Sequence, residues 1–254
     1  MEQAIETHQL CRRFGDVLAV DHLDLTVEPG IFYGFLGTNG AGKSTTIKML
    51  TGLLSPTAGQ IQVLGYNMLD AKESLEAKRS IGVIPENLAL FDNLTSRDYL
   101  TFVGRIHGLE RLVIRQRSME LMDLLDLDYQ SRTITLEFSH GMRKKLSLAA
   151  ALLHNPKLLF LDEPFEGVDA VASKVIRDLL EQFIAKGGTV FLTSHILEIV
   201  QRLCTHVGII TKGTLVLSEK IQSLTHNGSL EAAFMRAVGG ENNEISNKLD
   251  WLTT

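Results

Sequence analysis

The stretch Gly37-Thr38-Asn39-Gly40-Ala41-Gly42-Lys43-Ser44 constrains this chain more than any other. It satisfies the pattern G-x-x-x-x-G-K-[ST] at every fixed position. The glycines let consecutive backbone N–H groups turn inward around phosphate oxygens, Lys43 adds a point charge, and the Ser44 hydroxyl is a Mg²⁺ ligand. A loop of this chemistry holds a nucleoside triphosphate. Its flanks agree. The apolar run Ile31-Phe32-Tyr33-Gly34-Phe35-Leu36 reads as a buried strand, and residues 44–54 read as a helix whose N-terminus attracts anions.

Composition mostly excludes. A chain of 254 residues with 44% hydrophobic content buries roughly 70–75% of its unfolded surface, as one large domain or a domain plus subdomain. The formal net charge of -5 supplies no basic footprint, so nucleic acid is not an expected partner. The first residues are acidic and lack an apolar leader core, and no apolar run reaches bilayer length. A cytosolic chain is expected, with any membrane role supplied by a partner. Cys11 and Cys204 show no metal-ligand spacing and read as reduced structural thiols.

Ahead of the loop, residues 4–10, 17–20 and 23–27 alternate as an antiparallel β section, with Phe14 as an aromatic in the turn Arg13-Phe14-Gly15. Beside a nucleotide site such a ring can stack on a base. Residues 60–64 form a short strand, 71–79 a charged helix, and 81–84 a buried strand ended by Pro85-Glu86-Asn87. Thr95-Ser96-Arg97-Asp98 has the form of a capping box opening a helix, and a second helix runs through Met119, Leu121, Met122, Leu124 and Leu125. Residues 87–155 therefore read as a mostly helical subdomain inserted between strands. It closes with Ser139-His140-Gly141-Met142-Arg143 and a helix over 143–154; a small-residue turn at a helix N-terminus is a second, weaker phosphate binder.

Leu158-Leu159-Phe160-Leu161 is apolar without interruption, as in a parallel strand covered on both faces, and Asp162-Glu163 emerge at its carboxyl end. Ligands of such sheets sit beyond those ends, where the phosphate loop also lies. One carboxylate can hold Mg²⁺ and the next can polarise an attacking water. The pattern repeats in a helix over 170–186 and a strand over 189–193, which delivers Ser194-His195 to the same edge. His195 is a candidate γ-phosphate contact. Strands over 207–211 and 214–217 and a short amphipathic helix through Leu230, Phe234 and Val238 follow. The tail from Gly239 reads as mobile apart from Trp251.

In this order, Phe14, the loop from Gly37 to Ser44, Ser139-His140-Gly141-Met142, Leu161-Asp162-Glu163-Pro164, Gly167-Val168-Asp169 and His195 resemble the ATP-binding subunit of an ATP-binding cassette (ABC) transporter over nearly the whole chain. The resemblance implies an α/β fold with a P-loop NTPase core, a mostly parallel sheet flanked by helices, an N-terminal antiparallel section and the helical insert. It implies one ATPase domain over 1–240, with 241–254 as a polar tail. It implies Phe14 as the adenine stacker, Gly37, Thr38, Asn39, Gly40, Ala41, Gly42, Lys43, Ser44 and Thr45 around ATP, Ser44 and Asp162 on Mg²⁺, Glu163 as general base and His195 as γ-phosphate sensor. Ser139, Gly141 and Asp169 would act in trans, across a head-to-tail dimer that buries two ATP molecules.

Four positions depart from the family pattern. Thr38 stands where proline is common, and His140 and Met142 replace glycine and glutamine. Glu86 takes the place of the glutamine that reaches Mg²⁺ and water. A carboxylate about 4 Å from a charged ligand is worth roughly 4 kcal/mol at an effective dielectric of 20, attractive to Mg²⁺ and repulsive to phosphate. Glu86 either belongs to the catalytic and metal site or points to solvent or a partner subunit. These departures resemble bacterial ABC-2-type exporter ATPases, including the Ecs-like group. The expected function is ATP hydrolysis that drives a separate transmembrane permease, most readily for export, from the cytoplasmic face of the membrane and with a second ATP-binding subunit, identical or not. The alternatives are an ABC ATPase working on ribosomes or DNA, and a degenerate, non-hydrolysing cassette.

Overall fold

The computed structural model describes residues 2–226 and 228–239. Trp251 and the tail at 241–254 lie outside the described residues.

Two sheets with one helix between them set the architecture. Strands β1 (Ile5–Phe14), β2 (Val17–Val27), β4 (Ala58–Val63) and β5 (Tyr66–Asn67) form an antiparallel sheet in the order β2-β1-β4-β5. Strands β3 (Phe32–Leu36), β6 (Ile81–Ile84), β7 (Leu158–Asp162), β8 (Thr189–Ser194), β9 (His206–Thr211) and β10 (Thr214–Lys220) form the second, ordered β10-β9-β3-β8-β7-β6. All its neighbours run parallel except β10, which pairs antiparallel with β9 at the edge.

The period-2 geometry of a strand explains why these central runs are apolar throughout. In β3, Tyr33 and Phe35 enter the core shared with the antiparallel sheet, whereas Phe32 and Leu36 enter the core on the opposite face. In β7, Leu158 and Phe160 take the first side and Leu159 and Leu161 the second. Phe191 of β8 anchors the first core, stacked on Tyr33 at 5.6 Å and flanked by Phe35 and Phe160 at 5.3 and 5.8 Å. Helix α1 (Lys43–Leu50) buries Ile47, Met49 and Leu50 in the same layer.

The opposite face is covered by helices. After α2 (Ala71–Ser80) and β6, the chain forms α3 (Ser96–Ile106), α4 (Arg111–Leu124), a single 3₁₀ turn (Thr135–Glu137) and α5 (His140–Leu153) before β7. Thr95 caps α3 as expected, its hydroxyl accepting the Asp98 amide at 3.2 Å. α6 (Ala170–Ala185), α7 (Leu197–Leu203), α8 (Ile221–His226) and α9 (Leu230–Ala237) complete the layer.

Several boundaries differ from the sequence reading. β1 continues to Phe14, which pairs with Val17 as the last strand residue rather than standing in the turn. A bulge lets it do so: Asp21 and His22 together oppose Cys11, with His22 at φ +44°. The bulge also gathers the Cys11 thiol, the Asp21 carboxylate and the His22 ring, whose potential ligand atoms lie within 4.8 Å of one another. Each is already engaged, since Cys11 Sγ accepts the His22 amide at 3.3 Å and His22 Nδ1 meets Asp21 at 2.5 Å. The other thiol, Cys204, is buried and its pKa is pushed up by desolvation. α1 stops at Leu50 rather than residue 54, because the Thr51 hydroxyl bonds back to the Ile47 carbonyl and Gly52 turns left-handed. α5 starts at His140 rather than 143 because Ser139 caps it, accepting the Met142 amide at 3.2 Å. α7 and α8 escaped the reading because each is too short to show a helical period.

Candidate active site

The carboxyl edge of the parallel sheet gathers the sequence-predicted residues. β3 ends at Leu36, the loop crosses Gly37 to Gly42, and α1 begins at Lys43. A side chain could not replace two of the loop glycines. A Cβ at Gly37 would sit 2.6 Å from the Ile210 carbonyl oxygen, and one at Gly42, where φ is +109°, would sit 2.5 Å from the Ala19 carbonyl. Lys43 is buried, and its ammonium donates to the carbonyls of Gly37 at 2.8 Å and Thr38 at 3.3 Å. Thr38 thus contributes its backbone, while its side chain is exposed.

β7 and β8 supply the opposite wall in matched register, Asp162 facing Thr193. Asp162 is buried, and its Oδ1 accepts hydroxyl bonds from Thr193 at 2.5 Å and Ser44 at 3.2 Å. Glu163 follows in the left-handed region at φ +48°. A non-glycine residue there carries strain of order 1–3 kcal/mol and needs its surroundings to hold it. Its N–H donates to the Thr193 carbonyl at 3.3 Å and hydroxyl at 3.2 Å. Its own carbonyl accepts the Lys144 ammonium at 2.8 Å and the Glu166 amide at 3.2 Å. So pinned, the Glu163 side chain is only 8% exposed, and its carboxylate lies 3.0 Å from His195 Nδ1 and 3.8 Å from the Lys43 ammonium.

A cavity of about 320 Å³ opens at this junction, lined among others by Asn39, Gly40, Thr45, Glu86, Glu166 and His195. Glu86 is exposed yet turned to the site, its Oε2 3.3 Å from the Ser44 hydroxyl. Ser44, Asp162 and Glu86 therefore converge as hard oxygen donors, a set that fits Mg²⁺ and not a soft metal.

Four of the expected residues stand apart. Phe14 is 45% exposed and does not line this cavity; the Arg12 guanidinium lies over its ring, 4.5 Å from the centroid. Ser139, Gly141 and Asp169 form a second group around the starts of α5 and α6. Asp169 caps α6, accepting the Val171 and Ala172 amides at 2.9 Å each. The bond from Ala172 leads the causes that hold its pKa below the usual aspartate value. A Cβ built on Gly141 would come within 3.8 Å of Asp169 Oδ2, so the turn and the loop adjoin within one chain.

The profile of the ABC transporter family matches residues 20–166. The chain belongs to this family. Its relatives include the bacitracin transport ATP-binding protein BcrA of Bacillus licheniformis, 40% identical over 217 residues, or 85% of this chain and 69% of that one. They also include the linearmycin resistance ATP-binding protein LnrL of Bacillus subtilis, 35% identical over 84% of this chain and 68% of that one. A solved ATP-binding subunit of an ABC transporter superposes with a TM-score of 0.84 at 28% identity, covering 92% of this chain and 99% of that chain. This ABC cassette is thus an ATP-binding subunit and an ATPase. Among its described residues no helix is long and apolar enough to cross a membrane.

Sequence reasoning missed three participants of the cassette's site. Thr193 reaches both Asp162 and Glu163, and its signal was a hydroxyl near the end of β8, two residues before His195. Glu166 lines the cavity; nothing in its spacing announced it. Lys144 is 2% exposed on α5, one turn before buried Leu148 and so on the helix's apolar stripe. Burial lowers its pKa, opposed by the carboxylates of Glu166, Asp162, Glu163 and Glu86.

Proposed function

We propose that this cassette hydrolyses Mg²⁺-ATP with Glu163 as general base, and that two cassettes closing over ATP drive a separate transmembrane permease in export. The carrying observation is the Glu163 carboxylate, buried at the lip of the phosphate loop within 3.0 Å of His195 Nδ1 and 3.8 Å of Lys43. There it can take a proton from a water attacking the γ-phosphate, His195 can contact that phosphate, and Lys43 can neutralise charge on it. Gly37, Thr38, Asn39, Gly40, Ala41, Gly42 and Thr45 contribute the backbone and hydroxyl cradle, and Phe14 the adenine-stacking ring once its edge is covered. Mg²⁺ would be held by Ser44, Asp162 and Glu86, and supplies neutralisation of phosphate charge when bound. Ser139, Gly141 and Asp169, grouped away from the chain's own cavity, are the surface offered to ATP on the opposite cassette. One ATPase domain spans residues 1–240 in this reading, with residues 87–155 as its inserted helical subdomain.

The export reading rests on relatives named for bacitracin transport and linearmycin resistance; a ribosome or DNA ATPase finds no support among them. The permease would meet the apolar groove of about 340 Å³ between α3 and β6, lined by Leu53, Leu88, Leu90, Tyr99 and Val103, with Phe91 and Phe102 exposed beside it. It would hold the cassette at the cytoplasmic face. The test compares wild type with Glu163→Gln. Turnover falls at least about 10²-fold while ATP binding persists and ATP-locked dimers accumulate in gel filtration. Unimpaired phosphate release by the variant removes Glu163 from the role. A membrane protein co-purified in detergent, as against co-sedimenting ribosomes, identifies the partner class.

A further inference from the structure

Glu163 hangs from a main chain that is strained and tied down at both ends. Its φ of +48° is not a conformation that glutamate holds unaided, and it precedes Pro164, which narrows its backbone choices further. On the N-terminal side, Thr193 takes the Glu163 amide. On the C-terminal side, the peptide carbonyl accepts two donors, the Glu166 amide at 3.2 Å and the Lys144 ammonium at 2.8 Å. The second comes from another element, since Lys144 belongs to α5, which runs from the Ser139 cap. An ammonium at 2% exposure is costly to bury. A methionine or leucine would fill the same apolar stripe without that cost, so a charge kept on this carbonyl answers a need other than packing.

We propose that Lys144 is a positioning residue for Glu163: by gripping the Glu163 carbonyl it fixes the peptide plane that aims the carboxylate at His195. Lys144 does not itself line the cavity, and its hydrogen bond to Glu163 is to the main chain, not the carboxylate. It also ties the turn at Ser139 and Gly141, one helical turn away, to the chain's own base. The inference rests on the reading of Glu163 as the base.

The test measures kcat, the Kd for Mg²⁺-ATP and Tm in full-length Lys144→Met, Lys144→Ala and Lys144→Gln, beside Glu163→Gln. The two donor-less variants are expected to lose about 10- to 100-fold in kcat with Kd for ATP within about 3-fold of wild type. Lys144→Gln, which keeps a donor but no charge, is expected to recover kcat to within about 5-fold of wild type. Unchanged kcat in a folded donor-less variant overturns the proposal. So does a loss in which kcat and Kd worsen together in all three variants, or a series in which no donor-less variant folds, because either makes Lys144 a structural residue. If Glu163→Gln itself turns over normally, the base assignment fails first and is recognised separately.

Discussion

His195 Nδ1 lies 3.0 Å from Glu163 Oε1, joining the residue after β8 to the residue after β7 across the mouth of the phosphate loop. Both side chains lie beyond the sheet, and the contact restricts where either can point. His195→Ala removes that restriction together with the γ-phosphate contact proposed above. We expect kcat to fall by about 10- to 100-fold, with the Kd for ATP changed less than about 3-fold, because the loop and Lys43 are untouched. Steady-state phosphate release and nucleotide titration measure the two quantities. A variant that loses affinity but not kcat would place His195 in ground-state binding instead.

Glu86 is the departure whose meaning the sequence left open between the catalytic and metal site, solvent and a partner subunit. Its Oε2 stands 3.3 Å from the Ser44 hydroxyl, which supports the proposed metal role. Glu86→Gln keeps the shape and removes the charge. The Mg²⁺ concentration for half-maximal turnover should rise about 3- to 10-fold, and kcat at saturating Mg²⁺ should stay within about 3-fold of wild type. Solvent screening at this exposed position sets the modest size of the effect. Identical Mg²⁺ titrations for the two proteins would return Glu86 to solvent.

The sheet edge was legible because β7 and β8 are apolar on both faces and stop at polar residues. Runs such as Leu158-Leu159-Phe160-Leu161 before Asp162, and Val190-Phe191-Leu192 before Ser194-His195, carry both the strand and its chemistry. The hairpin bulge at Asp21 and His22 was not legible, because a bulge is decided by pairing with Cys11 across the strands and leaves no local period. Lys144 was hidden for a related reason: a lysine in a helix reads as solvated, and only tertiary packing shows that it faces the Glu163 carbonyl. Arg143 is similar. It reaches from α5 to the Asp92 carboxylate at 3.3 Å and the Thr135 carbonyl at 3.0 Å, pairings that no local period shows.

Thr193 carries two polar contacts of the site on one hydroxyl, donating to Asp162 and accepting from the Glu163 amide. Thr193→Val keeps the volume and removes both. The Glu163 amide retains the Thr193 carbonyl at 3.3 Å, so the main loss falls on buried Asp162. The cost to stability should be about 1–3 kcal/mol, read as a lower urea midpoint with unchanged slope. Turnover should fall with it, because Asp162 and Glu163 lose a shared orienting group. A stable variant of normal activity would show that Ser44 and the backbone suffice to hold them.

The apolar groove between α3 and β6 contains a stacked pair, His107 and His154, with ring centroids 3.7 Å apart. His154 Nε2 donates to the Ile81 carbonyl at 2.9 Å, which leaves Nδ1 as a buried acceptor without a partner among the described residues and fits a neutral ring. Burial first, and then His107, lower its pKa from 6.5 to about 4, against the opposing pull of the Ile81 bond. Since the folded pKa is the depressed one, the unfolded chain takes up the proton first as the pH falls. The contribution of His154 to stability is therefore complete above about pH 6.5 and is lost progressively toward pH 4. Screening in a partly open groove holds it to about 1–2 kcal/mol. His154→Gln keeps a donor for Ile81 but cannot titrate. Its Tm deficit relative to wild type should be largest near pH 7.5 and shrink steadily toward pH 4.5 in scanning calorimetry. Parallel Tm curves across that range would mean that the proton on His154 is not linked to folding.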